Sequence, residues 1–177
     1  SLFGYGSFDI ESVKNSSKAL FYFAWGLPAF AFIKIFSTFL FARHNTRTPF
    51  IFSLISVFIN ILISVYFFNK IGFIIIPIAT TISSWFNAFL LLIFLINKSY
   101  FSLNYNFLNK LFKIITSTAL SSYIFYILIN HFSNYLNYES DKKLITMILL
   151  VIVTLIIYIV LSILTKAFKT SDIKLKY

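Results

Sequence analysis

The sequence has no cysteine and few acidic residues. Without Cys, disulfide scaffolds, zinc ribbons and thiol catalysis are excluded. Only five of the 177 residues are Asp or Glu, and charged residues make up 11% of the chain, too few for the polar shell of a soluble domain. The chain is instead 59% hydrophobic, with 24 Phe. Lipid is the natural surrounding for so much apolar surface.

Five apolar runs are long enough to cross a membrane as helices, since about 20 residues at 1.5 Å rise cross roughly 30 Å of hydrocarbon. The runs are longer than the roughly 9–11 residues of a barrel strand, and they lack strict alternation. The predicted spans are 18–42, 49–68, 72–96, 108–132 and 143–165. The predicted fold class is therefore an all-α polytopic membrane protein with five transmembrane helices.

The basic residues between the spans predict the orientation. Connections one-to-two and three-to-four, together with the tail, hold nine Lys or Arg and one acidic residue. The other connections hold five basic and four acidic residues. Because the basic side of a membrane protein is usually cytoplasmic, the chain is predicted to start outside and end in the cytoplasm. The formal net charge of +10 thus reflects membrane topology, and no nucleic-acid partner is predicted.

An outside start at Ser1, with no signal peptide, indicates the C-terminal part of a longer polytopic protein.

Lys34 is the one charged residue that interrupts a span far from its ends; the other cations in the spans, Lys18, Lys110, Lys113 and Lys143, lie within six residues of a span end. A charge at that depth costs roughly 2.5–3.5 kcal/mol unless it faces protein or water. Ser37 and Thr38 lie one turn further on the same helix face. The polar strip favours an internal cavity, and snorkelling of the Lys side chain to the interface is the alternative.

Two short motifs introduce Gly or Pro into the spans. Gly26-Leu-Pro-Ala29, which contains Pro28, lies in the first span, and Pro77 lies in the third. Each is interpreted either as a hinge or as a point of close helix packing.

The second and third spans carry polar residues at helical spacing. These residues are Ser53, Ser56, Asn60, Ser64, Thr80, Ser84 and Asn87. They can form a hydrogen-bonded interface between two helices. Alternatively, Asn60, Ser64 and Thr80 could ligate a small cation, for which a carboxylate would still be needed.

No catalytic or metal-binding residues are predicted. None of the five spans contains Asp or Glu, and neither His44 nor His131 has a partner that would make a catalytic pair. The chain is therefore interpreted as a non-enzyme.

The loop from Arg43 to Pro49 is the sharpest local motif. Arg43 and Arg47 can anchor the ends of two spans among anionic head groups, and Pro49 suits a helix start. The alternative is direct contact with a phosphate-bearing lipid.

Taken in order, several of these residues resemble the MurJ/MviN family of lipid II flippases. The matching segments are Leu2-Phe-Gly-Tyr-Gly-Ser-Phe8, Gly26-Leu-Pro-Ala-Phe30, Lys34 and Phe41-Ala-Arg-His-Asn-Thr-Arg-Thr-Pro49. The hydropathy pattern is similar to that of the last five of the family's fourteen helices.

The resemblance implies a fold of the multidrug/oligosaccharidyl-lipid/polysaccharide superfamily, in a bacterial inner membrane. It implies alternating access that moves an undecaprenyl-linked peptidoglycan precursor outward. Residues 1–107 would belong to the second lobe, 108–165 would be two additional helices beside a groove for the polyprenyl tail, and 166–177 would be a basic cytoplasmic tail. Lys34 would face the cavity, and Ser64 stands where a carboxylate is expected.

The partners so implied are a polyprenyl-linked lipid, the bilayer and an N-terminal lobe of the same chain, with no cofactor. Whether transport is coupled to sodium or to the membrane potential is left open. Two alternatives are another polyprenyl-linked oligosaccharide exporter of the superfamily and a non-transporting membrane scaffold.

Overall fold

A computed structural model describes residues 10–102, 104–136 and 142–167, and every regular element within these ranges is a helix. The predicted all-α class is therefore confirmed. The elements are α1 (Ile10–Ala42), α2 (Arg47–Ile71), α3 (Ile75–Asn97), α4 (Tyr105–His131) and α5 (Lys143–Leu164), with 3₁₀ turns at Gly72–Ile74 and Ser133–Leu136. The Leu2–Phe8 motif and most of the basic tail lie outside the described residues.

In the described ranges, four continuous helical stretches are long and apolar enough to cross a membrane. One of them, Arg47–Asn97, is 51 residues long and contains both α2 and α3, because the 3₁₀ turn joins them without a break. A straight helix of 51 residues would be about 75 Å long, more than twice the hydrocarbon thickness. The stretch folds back at Gly72, so its two helices supply two of the five predicted spans.

The helices extend beyond the apolar runs that predicted them. α1 begins at Ile10 rather than near Lys18, and Glu11 lies in its first turn. A carboxylate at this position interacts favourably with the helix dipole. α2 begins at Arg47, ahead of Pro49, and the Thr48 N–H donates to Asn45 Oδ1 at 3.2 Å. An apolar run marks the part of a helix that lies in lipid, and polar residues can continue the helix outside it.

The first of two compact units of the chain contains α1, α2 and α3. α3 packs along both α1 and α2. Thr81 Oγ1 donates to the Tyr22 carbonyl and Trp85 Nε1 donates to the Trp25 carbonyl, so residue numbers rise together and α1 and α3 run parallel. α2 is antiparallel to both, as its turn at Gly72 requires.

The central position of α3 explains its buried stripe. Its buried residues recur about every four positions and are Ile75, Pro77, Ala79, Ser83, Ser84, Asn87, Ala88, Leu91 and Leu95. Leu91 and Leu95 form a cluster with Leu40 of α1, against which Phe52 and Phe101 pack. Outward-facing residues remain strongly apolar, for example Val65 at 72% exposure, as a lipid-facing surface requires.

The second unit contains α4 and α5. Ser117, in the middle of α4, is fully buried, and its Oγ lies 3.0 Å from Oγ1 of Thr165, which directly follows α5. The 3₁₀ turn that follows α4 also packs against α5, so the two helices are antiparallel. Small hydroxyl residues line their contact: Ser117 and Ser121 on α4 and Ser162 on α5 are buried. Such residues allow helices to approach closely in lipid.

Candidate functional site

The Gly26–Pro28 segment lies against α3. A Cβ at Gly26 would lie 3.1 Å from Thr81 Oγ1 and 3.6 Å from Thr81 Cα. Thr81 Oγ1 itself is fixed by its 2.8 Å hydrogen bond to the Tyr22 carbonyl, and Trp85 Nε1 donates to the Trp25 carbonyl at 3.0 Å. Gly26 therefore marks a close approach of two helices.

Pro28 and Pro77, the two prolines interpreted as hinge candidates, occupy different positions in their helices. Pro28 lies inside α1, where its missing N–H leaves the carbonyl one turn earlier without its helical donor. Pro77 is buried in the first turn of α3, where a missing N–H has no helical acceptor to lose. Pro77 thus fits a helix start, and the hinge role of Gly26, Pro28 and Pro77 stays a prediction.

The polar residues of α2 and α3 meet in one network. Asn60 Nδ2 donates to Thr80 Oγ1 at 3.1 Å and to Ser83 Oγ at 3.3 Å, and Ser64 Oγ donates to Asn60 Oδ1 at 3.3 Å. The Thr80 hydroxyl donates in turn to the Ile76 carbonyl. Ser83 was missed in the sequence, where only its neighbour Ser84 fitted the chosen stripe.

The geometry of this network favours a hydrogen-bonded contact between α2 and α3 over a cation site. The Asn60 side-chain oxygen already accepts from Ser64, and the Thr80 oxygen accepts from the Asn60 amide. The network contains no carboxylate, and in the described part of the chain no cluster of three His, Cys, Asp or Glu residues could hold a metal ion. A hard cation would have to break these hydrogen bonds without gaining a charged ligand.

The network lies along a groove of about 440 Å³ between the three helices. Its lining includes Asn60, Thr80 and Ser83 of the network as well as the apolar side chains of Phe30 and Ile33. Asn87, which also lines the groove, donates to Ser53 Oγ at 3.4 Å and is 6% exposed.

The three predicted cavity residues do not share one described groove. Lys34 and Thr38 are exposed, and Thr38 Oγ1 donates to the Lys34 carbonyl at 2.8 Å. Ser37 instead lines a groove of about 550 Å³ between α1 and the start of α2. Arg47 lines this same groove, together with Phe41 and Thr46. The structure thus brings Ser37 and Arg47 together.

Arg43 lies in a different setting from Arg47. Its guanidinium carbon is 4.0 Å from the centre of the Tyr100 ring and 4.9 Å from that of Phe39. Sequence reasoning missed Tyr100, which follows α3 and is far from Arg43 in the chain. The only signal was indirect, since parallel α1 and α3 must end on the same side.

Together, these features define the class of protein: a polytopic helical membrane protein in which polar side chains of α2 and α3 form hydrogen bonds between the two helices. Within that class, the chain belongs to the family described as "Lipid II flippase MurJ", whose family model matches residues 1–146. That family comprises flippases, and the chain is a multi-pass inner-membrane protein.

Relatives from three bacteria, each named a probable lipid II flippase MurJ, support the assignment. The Rhizobium meliloti protein is 31% identical over 129 residues, which cover 73% of this chain and 24% of that protein. The Rickettsia prowazekii protein is 34% identical over 86 residues, or 49% and 17% of the two chains. The Buchnera aphidicola protein is 26% identical over 126 residues, or 71% and 25%. The chain thus spans at most about a quarter of the length of these relatives.

Proposed function

We propose that this chain is part of a lipid II flippase that moves an undecaprenyl-linked peptidoglycan precursor from the inner to the outer leaflet by alternating access. The family match over residues 1–146 carries the proposal. The absence of Asp and Glu from the predicted spans agrees with it, because moving a lipid needs no nucleophile or general base.

The two units would have different roles. α1, α2 and α3 would belong to one rocking lobe, with Lys34 facing a cavity shared with the rest of the protein. Its exposure on a membrane helix supports this role, since an exposed cation at that depth in lipid would be unfavourable. α4 and α5 would flank the polyprenyl tail, for which the apolar surface of α5, with Ile145 63% exposed, is suited.

The orientation would place the Arg43 end of α1 in the cytoplasm. Among the described residues, this end of the first unit has three cations and no acidic residue: Arg43, Arg47 and Lys98. At the other end, the cations Lys14, Lys18 and Lys70 are partly balanced by Glu11. The excess of positive charge supports the cytoplasmic assignment.

Complementation tests the function. The full-length gene should restore growth to bacteria depleted of their own lipid II flippase. We expect Lys34→Ala to abolish the rescue at normal membrane levels, because an ammonium in the cavity would contact the lipid pyrophosphate. Lys70→Ala, at the other end of the unit, is the matched control and should still rescue.

One result would count against the flippase function, and another would count only against the role of Lys34. Failure of the correctly inserted wild-type protein to rescue would favour an exporter of another polyprenyl-linked oligosaccharide or a scaffold. Full rescue by Lys34→Ala would leave the flippase proposal standing but remove Lys34 from the cavity, in favour of snorkelling.

A further inference from the structure

One cationic side chain at the end of α1 is held by aromatic rings instead of a carboxylate. The Arg43 guanidinium carbon lies 4.0 Å from the centre of the Tyr100 ring and 4.9 Å from that of Phe39. The two ring centres are 6.2 Å apart, with their planes inclined at 59°. A guanidinium over an aromatic face is stabilised through its flat side.

The backbone fixes these rings in place. After α1, the Asn45 N–H donates to the Leu40 carbonyl, and after α3, the Tyr100 N–H donates to the Leu95 carbonyl, both at 2.9 Å. Leu40 and Leu95 belong to the same buried cluster. The two helix ends are therefore tied to one core, which places the Tyr100 ring beside the Arg43 side chain before any ligand arrives.

Stacking leaves the hydrogen-bonding edges of the guanidinium available. Ring faces do not satisfy the five N–H donors of an Arg side chain. In the described ranges, no hydrogen bond or ion pair to the Arg43 guanidinium is found. Glu11, the one acidic residue described in this unit, lies at the opposite end of α1, which is about 50 Å long. An ordered guanidinium with open edges suits a phosphate, which it can bind with two parallel hydrogen bonds.

The surroundings indicate which phosphate. Phe39 is 37% exposed and Tyr100 40%, although both adjoin a charged group. Acyl chains would cover such apolar surface, whereas a free phosphate ion would leave it in water. Arg47 and Lys98 at the same end add positive charge and so favour a lipid of net negative charge.

Arg47 does not share this setting. Ser37 and Phe41 of α1 line the same groove as Arg47. Phe39 lies two residues from each of them along α1. Two residues turn a helix by about 200°, so Phe39, over which the Arg43 guanidinium stacks, lies on the opposite side of α1 from that groove.

We propose that Arg43, held by Phe39 and Tyr100, forms a binding site for the phosphate group of an anionic phospholipid of the surrounding bilayer. The site goes beyond the proposed function, because the lipid bound here is a resident of the membrane and not the transported substrate.

Native mass spectrometry of the purified full-length protein that contains this chain, in a neutral detergent, tests the site. Phosphatidylglycerol and phosphatidylcholine with identical acyl chains are added separately, and bound lipids are counted. We expect the wild type to prefer phosphatidylglycerol, and Arg43→Ala to weaken its binding about tenfold, as expected for a lost charge-assisted hydrogen-bond pair.

Three further variants separate recognition from charge and from folding. Arg43→Lys keeps the charge but loses the planar fork, so its phosphatidylglycerol binding should also weaken. Tyr100→Leu keeps Arg43 but removes its main ring, and should weaken binding about two- to fivefold. Lys70→Ala is the matched control, because Lys70 lies 5.5 Å from the Tyr66 ring in a similar pair at the other end of the unit, and it should bind as the wild type does.

Equal losses in Arg43→Ala and Lys70→Ala would overturn the proposal, since they would indicate general attraction of charge. Displacement of phosphatidylglycerol by millimolar inorganic phosphate would overturn the assignment to a lipid. If Arg43→Ala cannot be purified as a folded protein, Arg43→Lys decides, and its wild-type selectivity would refute the site.

Discussion

Gly26 is the residue at which α1 and α3 come close together. A methyl group there would lie 3.1 Å from Thr81 Oγ1 and 3.3 Å from the Phe30 ring. Thr81 Oγ1 cannot move away freely, because it donates to the Tyr22 carbonyl. The absence of a side chain at Gly26 is thus a packing requirement, whether or not the segment also bends during transport.

We expect Gly26→Ala to lower the stability of the purified protein by about 1–3 kcal/mol, the usual effect of an overpacked contact. Thermal unfolding in detergent measures it. In the double variant Gly26→Ala/Thr81→Ala the hydroxyl is gone, so its loss should be smaller than the sum of the two single losses. Strict additivity would show that the Thr81 contact is not the cause.

The polar residues of α2 and α3 illustrate how hydroxyl groups are used in lipid. Ser56, Thr80 and Ser84 each donate to a backbone carbonyl four residues earlier. The oxygen of such a hydroxyl can still accept a hydrogen bond from a neighbouring helix. The Thr80 oxygen accepts one from the Asn60 side-chain amide. Buried Ser and Thr residues are thereby satisfied without charge.

Three helices are followed by a residue that adopts the left-handed conformation usually taken by glycine, although none of these residues is glycine. His44, Ser99 and Lys166 follow α1, α3 and α5 with φ values of 58°, 55° and 54°. In each case the next residue donates to a carbonyl five positions back along the chain, which closes the end of the helix. A residue with a Cβ is strained in this left-handed conformation.

Replacing His44 or Ser99 by Gly should therefore stabilise the protein by roughly 0.5–1 kcal/mol, measured by thermal unfolding. Gly72 tests backbone strain in a different conformation, with φ +73° and ψ −157°. A Cβ there would meet nothing within 4 Å, so Gly72→Ala should destabilise through backbone strain alone. A stabilising effect of Gly72→Ala would contradict this assignment of strain, and a loss of stability in His44→Gly and Ser99→Gly would contradict the argument for the helix ends.

For the whole molecule, the predicted orientation can be tested because the chain has no Cys. Single cysteines at Asn69 and Ser99 report on opposite ends of the first unit. In intact cells, a membrane-impermeant maleimide should label Asn69→Cys and leave Ser99→Cys unlabelled until the cells are opened. The reverse pattern would place the basic end outside and refute the predicted orientation.

The sequence by itself determined the fold class and the approximate place of each span. Both follow from the cost of placing polar residues and unpaired backbone groups in hydrocarbon, which is a local property of a run of residues. The motif from Arg43 to Pro49 and the residues around Gly26 also indicated the family, because their identity and order along the chain resemble those of its members.

Only the tertiary structure decided which polar side chains meet. Asn60 bonds to Ser83 as well as Thr80, Ser37 shares a groove with Arg47, and Arg43 stacks on Tyr100. These contacts depend on how two helices are rotated against each other and on where they end. Hydropathy fixes neither, because in lipid nearly every face of an apolar helix can be exposed, and packing chooses among them.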